Sequence, residues 1–234
     1  MTMMNSFPIP WRRLAALVCG LCSLSTATHA QEIARLYAAQ APAGSSYVRV
    51  LNPEAQNRRV TIGRNPADIL HGNQKPASDY RVVDAAGDLI ITLDGRTLPP
   101  LKIAAGGFYT VVLPPTPIQT PALIADATDG RNDLKAELRF YNLIANCDAA
   151  LRLQDGAQIF SGVNTNQAAR RSINPVRASV SGQCSNGANN NAAAASSLPP
   201  MKSGDRISVF LTGTVAQPRL SSQVDATAAY SGSR

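Results

Sequence analysis

The strongest constraint on the fold is a short pattern that the chain contains twice. Val48-Arg-Val-Leu-Asn52 and Leu138-Arg-Phe-Tyr-Asn142 share the order apolar, Arg, apolar, apolar, Asn. A second pair of words, starting at Gly106 and at Gly204, matches at Gly, Val and Leu positions. The members of the first pair lie 90 residues apart (48 to 138) and those of the second 98 apart (106 to 204). The same order at nearly the same offset predicts a duplicated domain.

Composition indicates that each copy is built from strands. Charged residues make up 16% of the chain and aromatic residues 5%, with 16 glycines and 16 prolines. Few charges and many turn formers favour short strands over long helices. Asp94-Gly95 and Asp155-Gly156 are dipeptides typical of tight hairpins. The predicted strands are 33–37, 47–52, 58–62, 79–83, 89–93, 97–103 and 108–113 in the first half, and 136–142, 149–153, 158–160, 170–173, 176–180 and 207–211 in the second.

These elements predict an all-β protein with two tandem β-sandwich domains joined by a Pro-rich linker. The first sandwich is predicted at 31–113 and the second at 134–216. Pro114, Pro115, Pro117 and Pro121 make 114–133 a semi-rigid spacer, because proline favours extended backbone without donors. The Ser/Asn/Ala-rich stretch between Gly182 and Pro200, which includes the insertion at 186–197, is expected to be a flexible loop. Residues 217–234 carry no hydrophobic period and are expected to form a flexible tail.

The first 30 residues have the features of a cleavable signal peptide. Arg12 and Arg13 precede an apolar run, and Ala30 ends a short stretch typical of a cleavage site. A short membrane anchor is the alternative. The signal peptide predicts a soluble protein that is exported. Removal of residues 1–30 leaves 20 basic and 15 acidic residues, a net charge of +5, which is compatible with an anionic polymer nearby.

Two cysteines remain after the predicted cleavage, Cys147 and Cys184. An even number of cysteines in an oxidising compartment makes this pair a candidate disulfide. A metal pair or a catalytic thiol is the alternative, but neither cysteine has a histidine near it in sequence.

Catalytic signatures are missing from the chain. His71 is the one histidine beyond the predicted signal peptide, and no nucleophile-elbow word surrounds a serine. The carboxylates are scattered rather than grouped as metal ligands, and the glycine pairs precede strands rather than helices. No cofactor, no metal and no nucleic acid is expected. The chain is predicted not to be an enzyme.

The two Arg-x-x-Asn patterns have two interpretations. In an alternating strand Arg49 points away from Val48 and Val50, which predicts a solvent-facing residue, and Asn52 would end its strand in a turn. The second interpretation is a surface that binds a partner protein. The candidate partner-binding residues are Tyr47, Arg49, Asn52, Arg139, Asn142 and Asn174.

Four stretches carry a resemblance to a known family. They are Ala34-Arg-Leu-Tyr37, the run from Ala41 to Asn52, Leu138-Arg-Phe-Tyr-Asn142 and Arg171-Ser-Ile-Asn-Pro-Val-Arg177. In this order they resemble the AlgF family of alginate biosynthesis proteins, over about 33–214. Cys147, Cys184 and the insertion at 186–197 depart from the family pattern, so the resemblance does not support the disulfide.

The resemblance implies an accessory role in periplasmic O-acetylation of alginate. In that system a membrane-bound O-acyltransferase exports acetyl groups and SGNH-like acetyltransferases place them on the polymer. The expected function is an adaptor that bridges these partners, at most a non-catalytic subunit of an O-acetyltransferase complex. Three alternatives remain open: an alginate-binding or polysaccharide-binding module, an acetyl-relay subunit, and a periplasmic subunit of secretion or pilus-chaperone type.

Overall fold

The computed structural model describes residues 42–130, 132–187 and 190–230. These residues belong to one compact unit, Ala41–Tyr230. Among them every regular element is a β-strand, so the protein is all-β. No helix in the described part of the chain has the length and apolar character needed to cross a bilayer. The predicted signal peptide at 1–30 and the predicted strand at 33–37 lie outside the described residues.

The strands are numbered in chain order. They are β1 (Ser45–Leu51), β2 (Arg58–Ile62), β3 (Asp68–Leu70), β4 (Arg81–Asp84), β5 (Ile91–Leu93), β6 (Arg96–Thr97), β7 (Phe108–Val112), β8 (Ala122–Ala125), β9 (Ala136–Asn142), β10 (Asp148–Leu153), β11 (Gln158–Val163), β12 (Gln167–Ile173), β13 (Ser179–Ser185), β14 (Asn190–Ala192), β15 (Ser196–Ser197), β16 (Arg206–Gly213) and β17 (Pro218–Val224).

The strands form four sheets, two in each half of the chain. The first outer sheet has the order β3-β2-β5-β6 and the first inner sheet β4-β1-β7-β8. In the second half the inner sheet has the order β12-β9-β16-β17 and the outer sheet β11-β10-β13-β14, with β15 also paired to β13. Each inner sheet has one parallel pair at its centre, β1 with β7 and β9 with β16, between antiparallel edges. The two halves therefore share one topology.

The repeated sequence words lie on these central parallel pairs. Arg49 of β1 is paired in register with Thr110 of β7, and Arg139 of β9 with Ser208 of β16. In each half, the two repeated words therefore lie on neighbouring strands, at equivalent places in the inner sheet. The duplication predicted from the sequence is reproduced strand for strand in the inner sheets.

Successive residues of a strand point to opposite faces of its sheet. Each inner sheet can therefore pack against one sheet on each of its two faces. On β1, Val48 and Val50 point into an apolar core shared with the first outer sheet. A second core of equivalent position includes Phe140 and packs the second inner sheet on the second outer sheet. Burial of each such side chain stabilises the fold by about 1.5–3 kcal/mol.

A third apolar cluster joins the two sandwiches through their inner sheets. Leu51, Val112 and Ile124 of the first inner sheet pack against Tyr141 and Phe210 of the second. The two sandwiches consequently make direct contact face to face.

The structure differs from the prediction of a spacer at 114–133. Residues 114–121, which hold all four prolines, connect two strands of the same sheet, and β8 (Ala122–Ala125) follows inside the range predicted as linker. Ala122–Ala125 has no proline, so its N–H groups can pair with β7. The proline-rich stretch therefore does not set a distance between the sandwiches.

The predicted flexible tail and flexible loop also contain strands. β17 (Pro218–Val224) is paired with β16 along its whole length, within the range predicted as a tail. β14 and β15 lie within or beside the Asn/Ala-rich insertion and pair with β13. These strands have mostly polar side chains, so hydrophobic periodicity could not reveal them. A buried neighbouring strand supplies the backbone partners instead.

Smaller differences affect strand limits. The strand predicted at 97–103 shortens to β6 because Pro99 and Pro100 have no N–H to donate. The strand predicted at 176–180 lies further along, at Ser179–Ser185, and the short strand β3 was not predicted. Asp94 and Gly95 both have positive φ, 50° and 85°, as the predicted two-residue hairpin requires.

Cys147 and Cys184 form a disulfide within the second sandwich. Cys184 lies on β13 beside Ala149 of β10. Cys147 and Cys184 are both buried in the second core. The structure joins the candidate pair, and the bond links Cys184 of β13 to the residue that immediately precedes the neighbouring strand β10.

We expect the disulfide to stabilise the fold by constraining the unfolded chain. The crosslinked residues are 37 positions apart, which corresponds to about 3–4 kcal/mol in the chain-entropy model. The double variant Cys147→Ala/Cys184→Ala should lose this amount in urea unfolding, and reduction of the wild-type protein should give the same loss. An unchanged urea midpoint after complete reduction would contradict the expectation.

Candidate functional site

The most concentrated set of polar side chains among the described residues lies between the two inner sheets. We call it the polar joint, and its members are Arg49, Tyr80, Thr110, Asp126, Tyr141, Ser208 and Asp225. Arg49, Thr110 and Ser208 are fully buried, and the others are buried or half-buried. The first four belong to the first half of the chain and the last three to the second.

Arg49 lies at the centre of the polar joint. Its Nε donates to Thr110 Oγ1 over 2.8 Å, and Nη1 pairs with Asp225 Oδ1 over 2.6 Å. Its Nη2 donates to the hydroxyls of Tyr141 and Ser208 over 2.8 and 3.0 Å. One guanidinium of the first sandwich is therefore bound by three residues of the second.

Asp126 accepts hydrogen bonds from three hydroxyl groups. Tyr141 donates to Oδ1 over 2.6 Å, while Tyr80 and Thr110 donate to Oδ2 over 2.8 and 2.6 Å. Ser208 donates to the second carboxylate, Asp225, over 2.9 Å. A buried carboxylate is tolerated only when its lone pairs are satisfied in this way.

The position of each residue along its strand explains why its side chain lies in the polar joint. Because Arg49 alternates with Val48 and Val50 on β1, it points from the first inner sheet towards the second. Thr110 is its neighbour on the parallel strand β7. Asp126 immediately follows the edge strand β8, and Asp225 immediately follows the edge strand β17. Both lie where the chain leaves its sheet.

The electrostatics of the polar joint follow from burial. Burial is the largest single influence and would lower the pKa of Arg49. The combined effects of Asp225, Tyr141, Tyr80 and Asp126 outweigh burial, and the pKa is raised well above its ordinary value. Burial raises the pKa of Tyr141 to about 12 and also raises the pKa of Tyr80, although Arg49 acts in the opposite direction on both. Arg49 is therefore charged and both tyrosines are neutral at physiological pH.

Aromatic rings surround the guanidinium of Arg49. Its Cζ lies 4.7 Å from the ring centroid of Tyr80, 5.2 Å from that of Tyr141 and 5.5 Å from that of Phe210. Cation–π attraction of this kind contributes most when the cation is desolvated, as here.

The second arginine of the repeat has a different set of partners. Arg139 is buried, pairs with Glu137 over 2.6 Å and donates to the backbone carbonyl of Ala127 over 2.7 Å. Burial acts to lower its pKa, but nearby tyrosines and Glu137 raise it above the ordinary value. Arg139 thus fastens the second inner sheet to the segment that connects the sandwiches.

Asn52 and Asn142 perform the same structural task in the two halves. Each carboxamide oxygen accepts from the N–H two residues further on, of Glu54 or Ile144. Each carboxamide nitrogen donates to a backbone carbonyl, and that of Asn142 reaches both Cys147 and Val163. The prediction that these residues end their strands in turns is confirmed.

Burial separates the candidate partner-binding residues into two groups. The side chains of Arg49, Asn52, Arg139 and Asn142 are buried. The prediction that Arg49 faces solvent is wrong, because the face of β1 that it occupies is covered by the second sandwich.

Two candidate residues remain accessible to a partner. Tyr47 is half-buried and stacks on Phe108, with ring centroids 4.4 Å apart. Asn174 is exposed, in the extended stretch that follows β12. His71 is also exposed.

Asp126 and Asp225 are the site residues that sequence reasoning missed. They fell in ranges predicted as linker and tail. A signal was present, because Asp126-Ala-Thr128 recurs as Asp225-Ala-Thr227. This third repeated word follows the edge strands β8 and β17 in the two halves.

The chemistry open to the polar joint is limited by its burial. Ser208 donates to a carboxylate, a contact that could activate a nucleophile, but Ser208 is fully buried and the carboxylate of Asp225 is paired with Arg49. The described residues contain no group of three or more His, Cys, Asp or Glu side chains placed to hold a metal ion. The geometry is that of a structural connection between two sheets.

Fold and site together define an all-β tandem-sandwich protein whose halves are locked by a buried ion pair. The model of the family "Alginate O-acetyl transferase AlgF" matches residues 17–191, so the chain belongs to the AlgF family. The protein is thus one of the proteins of alginate biosynthesis and O-acetylation.

Relatives from several pseudomonads carry the name alginate biosynthesis protein AlgF. The protein of Pseudomonas fluorescens is 32% identical over 73% of this chain and 76% of its own. That of Pseudomonas putida is 28% identical over 70% and 74%. A solved structure of the N-terminal domain of AlgF from P. aeruginosa is 25% identical, with a TM-score of 0.29 over 38% of this chain and all of that domain.

We expect loss of Arg49 to be strongly destabilising. Arg49→Met leaves the carboxylate of Asp225 buried without its partner, which costs about 3–5 kcal/mol. The double variant Arg49→Met/Asp225→Asn should lose less than the sum of the two single variants, measured by urea unfolding. Arg171→Met, at an exposed arginine of β12, is the matched control and should change stability by less than about 0.5 kcal/mol. A loss of under about 1 kcal/mol for Arg49→Met would contradict the role of the pair.

The raised tyrosine pKa values predict a loss of stability at high pH. A group whose pKa is higher in the folded state stabilises the fold below its unfolded pKa and loses that contribution as pH rises through the folded value. For Tyr141 the window runs from about pH 10 to about 12, and the loss at pH 12 is on the order of 2 kcal/mol. Melting temperatures across this window should fall more steeply for the wild type than for Tyr141→Phe. Parallel curves for the two proteins would argue against the assignment.

Proposed function

We propose that this protein is a non-catalytic adaptor for the O-acetylation of alginate in the periplasm. It would bridge a membrane-bound O-acyltransferase and the SGNH-like acetyltransferases that modify the polymer. Membership of the AlgF family supports the pathway. The adaptor role rests on the arrangement of the side chains described above.

The observation that carries the proposal is the internal position of the polar joint. Its hydroxyl and carboxylate groups are the ones best suited to acyl-transfer chemistry. They form hydrogen bonds with each other and with Arg49 between two sheets. A covalent acetyl relay would need an accessible hydroxyl with a base beside it. The polar joint holds its hydroxyls in contact with carboxylates but away from solvent, which favours a scaffold over an enzyme.

A scaffold of this kind needs an exposed surface for its partners. The segment 173–177, Ile173-Asn-Pro-Val-Arg177, extends from β12, which is an edge strand of the second inner sheet. Val176 is 49% exposed, and Arg177 is exposed without an ion pair among the described residues. An exposed apolar residue beside an unpaired arginine is typical of protein-binding surfaces. We assign this segment to a partner protein.

The test is co-purification of the tagged protein with the acetyltransferases and the membrane O-acyltransferase. The wild type should retain its partners, and Val176→Asp/Arg177→Glu should lose at least one of them while its melting temperature stays unchanged. The acetyl content of alginate from cells carrying this variant should fall towards that of a strain without the protein.

Arg64→Glu is the matched control for this experiment. Arg64 is also exposed, but it lies in the turn after β2, on the first outer sheet. It should retain every partner and full acetylation. Transfer of acetyl groups to polymannuronate by the purified protein alone would overturn the adaptor proposal, as would wild-type protein that associates with none of the enzymes.

A further inference from the structure

β12 (Gln167–Ile173) forms one edge of the second inner sheet. Among the described residues it pairs with β9 alone, antiparallel and in register over all seven of its positions. The backbone groups on its other side point away from the sheet. A row of unpaired N–H and C=O groups at a sheet edge is able to pair with another extended chain. The free edge of β12 is therefore a candidate binding surface.

The hydrogen bonds of β9 identify the residues of β12 whose backbone groups point outward. A strand directs the N–H and C=O groups of successive residues alternately to the strands on its two sides. The N–H of Glu137 donates to the β16 side, to the carbonyl of Asp205. The next residue, Leu138, therefore faces β12, where its partner is Arg171. By the same alternation the outward residues of β12, about 7 Å apart, are Ala168, Arg170 and Ser172.

In the first half of the chain the equivalent edge is occupied by a segment of the protein itself. β4 pairs with β1 as β12 pairs with β9, and at the offset of 90 residues Tyr80 corresponds to Arg170 (80 to 170). The N–H of Tyr80 donates to the carbonyl of Ala226 over 2.8 Å, and its carbonyl accepts from the N–H of Ala228 over 2.9 Å. The bridge between Tyr80 and Thr227 is parallel. An extended stretch of backbone thus completes this edge.

In the second half a side chain takes the place of this backbone pairing. The repeated Asp-Ala-Thr word makes Asp129 the counterpart of Ala228, since each follows its word directly. Asp129 is held by the guanidinium of Arg170, with Nη2 2.8 Å from Oδ1. Within the described part of the chain no backbone group pairs with the outward N–H and C=O groups of Arg170 and Ser172. The edge that is filled in the first half is therefore open in the second.

The side chains beside the open edge indicate the kind of segment that fits it. Arg171 and Arg177 are exposed, and neither has an ion pair among the described residues. Val176 is an exposed apolar side chain next to Arg177. Acidic side chains on an added segment would pair with the arginines, and an apolar side chain would cover Val176. An extended acidic segment with one apolar residue therefore complements the edge in backbone, charge and polarity.

We propose that the open edge of β12, together with segment 173–177, binds an extended acidic segment of a partner protein by strand addition. This inference rests on the adaptor role and specifies how one partner is held. The added segment pairs with the outward backbone groups of Ala168, Arg170 and Ser172. It runs parallel to β12, as residues 226–228 run along the equivalent edge of the first half.

The first test is amide hydrogen exchange of the wild-type protein, free and in complex with each proposed partner enzyme in turn. In one of these complexes the amides of Ala168, Arg170 and Ser172 should exchange at least about tenfold more slowly than in the free protein. The amides of Ala169 and Arg171 bond to β9 and should be protected in both states. A complex without added protection at the three outward amides would overturn strand addition. Protection in the free protein would also overturn it, because the chain itself would then fill the edge.

The second test is a proline variant, Ser172→Pro, in titration with the same enzyme. It removes one outward N–H and keeps the bonds to β9, and an edge strand tolerates proline at such a position. Binding should weaken at least about tenfold, because an acceptor of the added segment loses its donor. Ser172→Ala should bind like the wild type. Arg171→Gln should reduce the salt dependence of the affinity, and an unchanged salt dependence would overturn the acidic character of the segment.

Ser222→Pro is the matched control on β17, the opposite edge strand of the same sheet. The N–H of Asp225 donates to β16, so alternation directs the N–H of Ser222 outward. This variant should keep full affinity. Equal weakening by the two proline variants would overturn the assignment to β12, as would unchanged affinity in Ser172→Pro. Wild-type protein that binds none of the enzymes would overturn the adaptor role itself, whereas a wild-type complex with an unprotected β12 edge would overturn strand addition alone.

Discussion

A single buried guanidinium determines how the two halves of this protein are arranged. Arg49 belongs to the first sandwich, and Asp225, Tyr141 and Ser208 of the second sandwich bind it. A charge removed from water is tolerated only when it is paired and hydrogen-bonded. The inner sheets must therefore meet in the register that brings these groups together. Apolar contacts between Leu51 and Phe210 surround the pair but would permit other registers.

The duplication explains why such a connection could form. Both inner sheets have a parallel pair at their centre with an arginine opposite a hydroxyl residue, Arg49 with Thr110 and Arg139 with Ser208. The two words differ at three positions, and at one of these Leu51 of the first word corresponds to Tyr141 of the second. The tyrosine hydroxyl reaches both Arg49 and Asp126. Two equivalent faces have become complementary rather than identical.

The sequence predicts the strands that carry apolar alternation and misses those that do not. The words around Val48 and Phe140 identify central strands because one face of each is a hydrophobic core. Alternation reveals that Arg49 lies on the opposite face, but it carries no information about what covers that face, so it does not predict contact with the second sandwich. β17 is polar and depends on a buried neighbour for its pairing, which is why the sequence predicts a tail where Asp225 lies. The repeated Asp-Ala-Thr word is the sequence feature that indicates equivalent positions for Asp126 and Asp225 in the two halves.

The distance along the chain between the members of the ion pair has a consequence for folding. Asp225 follows Arg49 by 176 residues and is therefore synthesised much later. Until the last strand is in place, the first sandwich has an arginine facing outward from an otherwise finished sheet, and its hydrated charge keeps that face from associating with other apolar surfaces. Only a chain that includes β17 and Asp225 can desolvate and neutralise it. Contact between the two inner sheets is therefore coupled to the pairing of β17, because that strand brings Asp225 to Arg49.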